Sequence, residues 1–288
     1  MEQVKKIVLV GSKGMAGHIL YTYFRENTGF EIVDLARDAK FHTPKYQLDV
    51  TDFSNLSEIL QVEKPAFVIN CIGLLNKNAE DNPDKAILLN SYLPHFLAKK
   101  GDEMGFKLIH ISTDCVFSGK KGNYRENSEK DGTGFYAKSK ALGEVDYHNH
   151  LTLRTSIIGP ELNDGGIGLF HWFMNQKGII KGYTKAFWTG VTTIELSMAI
   201  KAAIDQNISG IHHLVNGEKI NKHDLLILFK EIFKKDDVEI DIDDKYEIDK
   251  SLIKTNFDFD YVVPTYEVMI KEMKEWVDSH QDLYPYNL

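Results

Sequence analysis

The stretch KIVLVGSKGMAGHIL, residues 6–20, decides the fold of this chain. A β-rich apolar run leads into three glycines, and a helical pattern follows them. The first glycine permits a tight turn, the second lets a backbone approach a diphosphate, and the third lets the helix pack closely on a sheet. Because a helix N-terminus offers N–H donors and a positive dipole end, the stretch predicts a dinucleotide-binding turn. The residues assigned to it are Gly11, Ser12, Gly14, Met15, Ala16 and Gly17.

Short β-rich runs and helical patterns alternate beyond this turn. The predicted strands are EIVDLA, YQLDV, AFVIN, KLIHIS and LTLRTS, and helices are predicted for residues 83–100 and 134–147. A further amphipathic helix is predicted in KINKHDLLILFKEIF, with Asn221 as its N-terminal cap. This alternation is typical of an α/β fold with a doubly wound parallel sheet of the Rossmann type. Ligand sites in such sheets lie at the carboxyl ends of the strands.

The composition excludes several classes of partner. The chain has 288 residues, a net charge of −8 and two cysteines. Its length suits one large α/β unit or two closely joined domains, and its acidic balance argues against a nucleic-acid partner. No apolar run reaches the ~18 residues that a membrane span needs. The first predicted strand leaves no room for a signal peptide, and two cysteines make no disulfide framework, so we expect a cytoplasmic protein.

The end of the second predicted strand bears on the choice of dinucleotide. Arg37 lies about 20 positions beyond Gly17, where an arginine accommodates the 2′-phosphate of NADP and an acidic residue binds the ribose of NAD. Asp34 and Asp38 flank it. The pattern favours NADPH without strictly excluding NADH, and a solvated surface charge is the alternative interpretation of Arg37.

Two further strand ends offer contacts to the same cofactor. Asp49 and Val50 follow the third strand, where a carboxylate and a small apolar residue suit an adenosine. Cys71, Ile72 and Gly73 follow the fourth strand and are small enough to let a cofactor backbone pass. Nothing near Cys71 or Cys115 in the sequence would stabilise a thiolate, so both are interpreted as packing groups.

The segment from Ser112 to Lys140 carries the candidate chemistry. Thr113 ends the fifth strand, and Tyr136 and Lys140 share one helix face at i, i+4. A phenol has a pKa near ~10, and an ammonium at ~4 Å with an effective dielectric of about 20 would lower that pKa by about 3. This predicts Tyr136 as a general acid, with the Thr113 hydroxyl on the same carbonyl oxygen. Such a pair also occurs by chance on surface turns, so the prediction depends on its combination with the glycine turn.

These motifs together resemble those of the extended short-chain dehydrogenase/reductases. Within that superfamily, STDCVF, YAKSKALGE and LRTSIIG resemble the dTDP-4-dehydrorhamnose reductase family of nucleotide-sugar 4-keto reductases. The resemblance implies a catalytic triad of Thr113, Tyr136 and Lys140, with Lys140 also on the nicotinamide ribose. It places four more residues near the cofactor, namely Ser112, Thr155, Ser156 and Ile157.

The resemblance also implies a division of the chain. A Rossmann domain would comprise residues 1–158, with residues 191–216 returning to it. A smaller C-terminal α/β lobe, made of residues 159–190 and 217–288, would bind the substrate. A homodimer is compatible with this arrangement.

Two departures from the family pattern limit what it implies. The family usually has Ser-Thr-Asp-Tyr-Val-Phe, whose tyrosine contacts the sugar, whereas Cys115 stands at that position here. Some members bind Mg²⁺ through a glutamate shortly after the glycine turn, where this chain has Ile19. Neither a metal nor dTDP-4-dehydrorhamnose itself is therefore carried over. The cysteine variant is more similar to reductases of UDP-linked 4-keto-6-deoxy-N-acetylhexosamines.

An aromatic segment is the predicted substrate wall. A nucleotide sugar needs an apolar face for its base and cations for its diphosphate. We expect Trp172, Lys181 and Trp188 to contact it, together with Thr113 and Cys115. The segment also contains Phe170, Phe173, Lys177, Tyr183, Lys185 and Phe187. Each aromatic residue taken singly could instead belong to the core.

Two other patterns are interpreted as structural. The acidic residues 234–250 alternate with apolar ones, which favours a half-buried strand over a cation site. His212 and His213 are interpreted as alternating strand residues without a ligand role.

The sequence alone leaves three functions open. The first is an NADPH-dependent reductase of a nucleotide-linked 4-keto-6-deoxy sugar, which Arg37 and the LRTS run favour. The second is an epimerase or dehydratase of the same superfamily that retains NAD, although Asp114 is not followed by the glutamate a dehydratase would want. The third is a non-catalytic NADP-binding sensor, against which the intact Thr113, Tyr136 and Lys140 argue.

Overall fold

The computed structural model of the chain describes residues 4–163 and 165–286. Its strands are β1 (Lys6–Val10), β2 (Glu31–Ala36), β3 (Tyr46–Gln47), β4 (Phe67–Asn70), β5 (Lys107–Thr113), β6 (Leu151–Thr155), β7 (Ile157–Ile158), β8 (Gly178–Trp188), β9 (Val191–Thr192), β10 (Gly210–His213), β11 (Ile220–Asn221) and β12 (Val238–Asp249). Its α-helices are α1 (Met15–Asn27), α2 (Phe53–Glu63), α3 (Asn76–Asp81), α4 (Pro83–Ala86), α5 (Leu93–Met104), α6 (Gly134–Leu142), α7 (Leu169–Met174), α8 (Thr193–Asp205), α9 (Lys222–Ile232) and α10 (Tyr266–Ser279). A π-helix (Ile87–Tyr92) joins α4 to α5, and 3₁₀ turns lie at Asp114–Val116 and Gln281–Leu283.

The large sheet is parallel throughout, with the strand order β10-β6-β5-β4-β1-β2-β3. Its central strands are apolar runs buried on both faces, because helices cover both sides. The strand order reverses between β1 and β4, which opens a crevice at their carboxyl ends. The predicted doubly wound sheet is confirmed.

A small sheet carries the second half of the chain. Strand β8 lies between β11, which is antiparallel to it, and β12, which is parallel. The acidic segment forms β12 along the outer edge, with Val238 buried and Ile242 exposed. Strand β10, from the 191–216 segment, pairs with β6 in the large sheet. The domain boundaries given above stay a prediction.

Tertiary contacts shorten two predicted elements. The prediction that the helix from Gly134 extends to residue 147 is wrong, because α6 ends at Leu142. Gly143 packs so closely on the π-helix that a Cβ there would lie 1.8 Å from the Asn90 carbonyl oxygen. The chain then turns to β6, where the Val145 N–H donates to Thr152 Oγ1 at 3.1 Å. Strand β3 likewise pairs over two residues only.

None of the described helices combines the length and the apolar character that crossing a membrane requires.

Candidate active site

The glycine turn after β1 opens onto the crevice. The Gly11 and Ser12 N–H groups donate to the Leu35 carbonyl at 3.0 and 3.2 Å, with Gly11 at φ +90°. A Cβ at Gly17 would lie 2.0 Å from the Gly11 oxygen, so only glycine lets α1 approach the turn this closely. At Gly14 a Cβ would meet no atom nearer than 3.7 Å. No side chain caps α1 and no acidic residue lies in its first turn, so its N-terminus fits a diphosphate group.

The crevice is a cavity of about 380 Å³ that runs from this turn past the ends of β4, β5 and β6. It brings together most of the residues that the sequence assigns to a cofactor and to catalysis. These are Gly14, Met15, Ala16, Cys71, Ile72, Gly73, Ser112, Thr113, Tyr136, Lys140, Thr155, Ser156 and Ile157. An open glycine turn and a lining of small residues fit a nicotinamide dinucleotide.

Several predicted cofactor residues do not line this cavity. Ser12 is fully buried, and its hydroxyl donates to Asp34 Oδ2 at 2.9 Å. Asp34 also lies 2.7 Å from His42 Nε2 and accepts from the Lys45 N–H at 3.0 Å. Because Asp34 is buried and both of its carboxylate oxygens are engaged by these contacts, it is not presented to a ribose diol.

The residues after β2 and β3 lie beyond the inner cavity. Arg37 is exposed, and the neighbouring Asp38 is held by Lys13 at 3.2 Å. Asp49 is exposed and accepts from the Thr51 N–H at 3.0 Å, which lowers the pKa of its carboxyl. The Val50 side chain is 4% exposed and packs in the core, and its contact with an adenine stays a prediction.

Thr113 and Tyr136 bring two hydroxyl groups together at the inner wall. Thr113 ends β5, donates to Asp114 Oδ1 at 3.1 Å and accepts from the Cys115 N–H at 3.1 Å. Burial raises the pKa of Tyr136 and the adjacent Cys115 raises it further, while the hydrogen bond between Thr113 and Tyr136 acts in the opposite direction. Tyr136 is therefore protonated at neutral pH, which is the form a proton donor needs.

The expected effect of Lys140 on the Tyr136 pKa is wrong for this structure. Lys140 lines the same crevice, but its ammonium donates to the Ile111 carbonyl at 2.7 Å and lies 3.3 Å from His110 Nε2. It is not among the groups that shift the Tyr136 pKa, and burial dominates instead. Burial also lowers the pKa of Lys140 itself to about 8, against the opposing effect of Glu144 and Cys71.

Two side chains that sequence reasoning missed position helix α6. The Glu80 carboxylate accepts from the Phe135 and Tyr136 N–H groups at 3.0 and 3.1 Å. Asn90, in the π-helix, accepts from the Leu74 N–H at 2.7 Å and donates to Ser139 Oγ at 3.0 Å. Together they join the loop after β4 to the helix that carries Tyr136. Glu80 precedes Phe135 by 55 residues, so no local pattern could have identified it.

A buried ion pair anchors the floor of the crevice. Arg154 forms two bonds to Glu144, at 2.8 and 2.7 Å, and the Ser112 hydroxyl donates to the same carboxylate at 2.7 Å. The Thr155 hydroxyl donates to the Leu214 carbonyl at 2.8 Å. The side chains of Ser112 and Thr155 are thus engaged within the protein.

The pocket is a second cavity, of about 580 Å³, which adjoins the crevice at Asp114, Cys115 and Trp188. The predicted substrate residues Trp172 and Lys181 also line it, with Tyr183, Ala186 and Phe187 beside them. Lys181 already forms an ion pair with Asp241 at 2.8 Å, so its charge is balanced.

Other parts of the aromatic segment lie elsewhere. Phe170 and Phe173 lie on the buried side of α7 and pack in the core against Phe229 of α9. Both residues therefore fit the alternative interpretation, in which an aromatic residue of this segment belongs to the core. Lys177 and Lys185 do not line the pocket.

Two lysines that sequence reasoning missed face Asp114 in the pocket. Lys250 donates to Cys115 Sγ at 3.4 Å. Lys222 lies 5.1 Å from the ring centre of Trp188, and within the described residues its ammonium has no hydrogen bond or ion pair. Burial lowers the pKa of Lys222 to about 8 and raises that of Asp114. One carboxylate between two lysines leaves a positive balance that suits an anionic ligand.

Among the described residues, neither the two cysteine thiols nor the side chains that bind metals form a further reactive site. Burial raises the pKa of Cys71 to about 12 and that of Cys115 to about 11, so both thiols are protonated at neutral pH. Across residues 4–163 and 165–286, no group of His, Cys, Asp or Glu side chains is arranged to hold a metal ion.

Comparison with known proteins places this geometry in a family. The model of the RmlD substrate binding domain matches residues 5–244. Methionine adenosyltransferase 2 subunit beta of Xenopus tropicalis is 25% identical over 80% of this chain and 72% of its own length. The probable low-salt glycan biosynthesis reductase Agl14 of Haloferax volcanii is 27% identical over 75% of this chain and 76% of its own length.

A solved structure matches the whole fold. The dTDP-4-dehydrorhamnose reductase of Bacillus anthracis in complex with NADP superposes with a TM-score of 0.81 at 18% identity. The superposition covers 95% of this chain and 100% of the reductase. At this identity the likeness concerns the fold.

Proposed function

The chain belongs to the RmlD substrate binding domain family, and on that premise we propose that it reduces the 4-keto group of a nucleotide-linked 4-keto-6-deoxy sugar. One observation carries the proposal. The hydroxyl groups of Thr113 and Tyr136 meet in a crevice that begins at the open N-terminus of α1 and continues into a cationic, aromatic pocket. This arrangement suits a carbonyl that belongs to an anionic sugar derivative.

Different side chains have different roles in the proposed reduction. Tyr136 is kept protonated by burial and donates its proton to the carbonyl oxygen as that oxygen gains charge. Thr113 donates to Asp114 Oδ1 in this structure, and its hydroxyl would turn from there to donate to the same oxygen. A reduced nicotinamide, when bound, supplies the hydride. Its diphosphate would lie on the Gly14 turn and its ribose beside Lys140, and Ser156 and Ile157 would border the nicotinamide.

The pocket is the proposed site of the nucleotide diphosphate. Lys222 and Lys250 supply positive charge at its junction with the crevice, and Trp172 and Trp188 supply apolar faces for a base or sugar ring. Cys115 occupies the position where the family usually has tyrosine, which leaves room for a larger sugar substituent. This favours an N-acetylated hexose over dTDP-4-dehydrorhamnose.

NADPH is the proposed reductant, and Arg37 is the proposed contact of its 2′-phosphate. The similar reductase of Bacillus anthracis was solved with NADP. Arg37 is exposed at the carboxyl end of β2, beside the glycine turn. We expect Arg37→Ala to weaken NADPH binding by ~5- to 10-fold, a loss of about 1 to 1.4 kcal/mol for one exposed charge contact. Fluorescence titrations with NADPH and NADH check this, and equal losses for the two would remove the phosphate assignment.

A second candidate function is a non-catalytic cofactor-binding subunit. The likeness to methionine adenosyltransferase 2 subunit beta favours it, since that relative is named as a subunit. The presence of Thr113, Tyr136 and Lys140 in one crevice favours the reductase.

The deciding experiment is a turnover assay with the purified protein. NADPH and a panel of enzymatically prepared UDP- and dTDP-linked 4-keto-6-deoxy sugars are supplied, and the NADPH absorbance is followed. We expect consumption with at least one UDP-linked substrate and its conversion to a 4-hydroxy product by mass spectrometry. Tyr136→Phe should lower turnover by ~10²-fold or more while NADPH affinity is kept, because only the transferable proton is lost.

A matched variant controls for the loss of a tyrosine hydroxyl. Tyr92 is exposed on the π-helix outside both cavities, so Tyr92→Phe should leave turnover unchanged. Unchanged turnover in Tyr136→Phe would contradict the proton-donor role. If no substrate is consumed and NAD remains tightly bound through purification, the epimerase or dehydratase becomes the better proposal.

A further inference from the structure

A row of buried polar groups leads from the loop after β4 to the catalytic lysine. The Ile72 N–H donates to Asn70 Oδ1 at 3.1 Å, and Asn70 Nδ2 lies 3.2 Å from His110 Nδ1. His110 Nε2 lies 3.3 Å from Lys140 Nζ, which donates to the Ile111 carbonyl at 2.7 Å. Asn70 and His110 are both fully buried. The row therefore has to satisfy its hydrogen-bonding groups within itself.

The direction of each hydrogen bond follows from its first member. A backbone N–H can only donate, so the Asn70 oxygen faces Ile72 and the Asn70 amide NH₂ faces His110. His110 Nδ1 must then accept, and a neutral imidazole with Nδ1 as acceptor carries its hydrogen on Nε2. That hydrogen points at Lys140 Nζ.

An ammonium cannot accept this bond. It has three N–H donors and no lone pair, so the His110 N–H and a charged Lys140 oppose one another. If the Asn70 amide were flipped, its NH₂ group would face the Ile72 N–H, and two donors would then be in contact there instead. The row is satisfied throughout when Lys140 is an uncharged amine that accepts from His110 and donates to Ile111.

We propose that Asn70 and His110 are positioning residues that favour the uncharged form of Lys140. Other groups around the lysine are consistent with this arrangement. Cys71 of β4 is a protonated thiol, and the Glu144 carboxylate faces Lys140 but is engaged by Arg154. His95 of α5 and Lys140 disfavour a charge on His110, whose burial already lowers its pKa well below the usual range.

The consequence for turnover rests on the proposed function. After Tyr136 gives its proton to the substrate oxygen, the phenolate has to regain one. With its pKa lowered to about 8, Lys140 still carries its proton in most molecules at neutral pH. This ammonium releases the proton readily to the phenolate in the same crevice, and it becomes the amine that the His110 N–H stabilises.

The tautomer of His110 tests the proposal without any ligand. Ring-¹⁵N-histidine-labelled protein is examined at neutral pH by a long-range ¹H–¹⁵N correlation spectrum, and His110 is assigned by its absence in His110→Phe. We expect a neutral ring with its hydrogen on Nε2. A hydrogen on Nδ1, or a charged imidazolium, overturns the proposal.

The titration of Lys140 gives a second test, in which the direction of the shift in the midpoint distinguishes the two arrangements. The ¹³Cε signal of labelled lysine, assigned by its loss in Lys140→Arg, reports the midpoint. In His110→Phe the opposing N–H is gone, so we expect the midpoint to rise by about one pH unit. If Nε2 were instead an acceptor for the ammonium, the same variant would lose a stabilising partner and the midpoint would fall. An unchanged midpoint also contradicts the proposal.

A matched variant and an activity measurement complete the design. His150 is buried and accepts the Leu108 N–H at 3.1 Å away from the crevice, so His150→Phe should leave the Lys140 midpoint unchanged. If His110→Phe does not fold, the tautomer of the unaltered protein decides alone. With an active substrate, the alkaline limb of the pH profile of kcat should move upward in His110→Phe. Absence of turnover in the unaltered protein rejects the reductase and leaves the spectroscopic result valid.

Discussion

Lys140 in the crevice and Lys222 in the pocket have the same lowered pKa but different surroundings. Burial lowers the pKa of each to about 8. Lys140 is 4% exposed and is held by the Ile111 carbonyl and His110. Lys222 lies over the Trp188 ring, and among the described residues nothing accepts from its ammonium.

The difference separates a residue built into the protein from one directed at a ligand. Lys140 completes a network within the protein, so its cost of burial is offset by hydrogen bonds. Lys222 is the first residue of α9, where the positive end of the helix dipole disfavours a cation. A lysine that is desolvated, set at a helix N-terminus and without a hydrogen-bond acceptor among the described residues would be stabilised by an anion bound in the pocket.

Ligand binding should distinguish Lys222 from Lys140 most strongly. We expect Lys222→Met to weaken UDP binding by ~10-fold or more, because a charge-assisted bond contributes about 1.5–3 kcal/mol. Lys140→Met should leave UDP affinity unchanged, since the diphosphate is assigned to the pocket. Isothermal titration calorimetry measures both. Lys185→Met, at an exposed lysine outside the pocket, is the control, and an equal loss in that variant would indicate general charge attraction only.

Stability should move in opposite directions for the two lysines. Lys140→Met leaves the buried Ile111 carbonyl and His110 without a partner, which should lower the free energy of unfolding by about 1–3 kcal/mol. The cost of burying the Lys222 charge exceeds its attraction to Asp114, so in Lys222→Met the free energy of unfolding should stay the same or increase. Urea denaturation without ligand provides the values. Destabilisation of similar size in both variants would show that Lys222 is held by the protein after all.

The pH dependence of stability offers the smallest but most specific effect. The native pKa of Lys222 is about 8, below its ordinary value of 10.5, so the unfolded chain binds more protons between these values. Stability should therefore rise with pH over that range, as the cost of holding a charged Lys222 disappears. In Lys222→Met this rise should be shallower, because one of the contributing groups is absent. Unfolding curves at pH 8 and 10 compare the slopes, and an equal rise in the two proteins would contradict the assignment to Lys222.

The sequence was sufficient where the signal lies within a few residues. The glycine turn, the strands of the large sheet and the Asn221 cap of α9, which accepts from the Asp224 N–H at 2.8 Å, follow from sterics and local hydrogen bonds. The spacing of Tyr136 and Lys140 likewise placed both in one crevice. The same spacing led to the wrong expectation for the Tyr136 pKa, because it ignored the Ile111 carbonyl and His110.

The local sequence thus determined the alternation of strands and helices, the glycine turn and which residues are candidates for catalysis, because each is marked by a pattern within one strand, turn or helix. Tertiary structure alone decided where the Lys140 ammonium points, that Glu80 caps α6, and that Lys222 and Lys250 face Asp114. Those outcomes depend on groups that folding brings together from distant parts of the chain. Burial then sets the charge of each group according to its neighbours in space, and no spacing along the sequence encodes those neighbours.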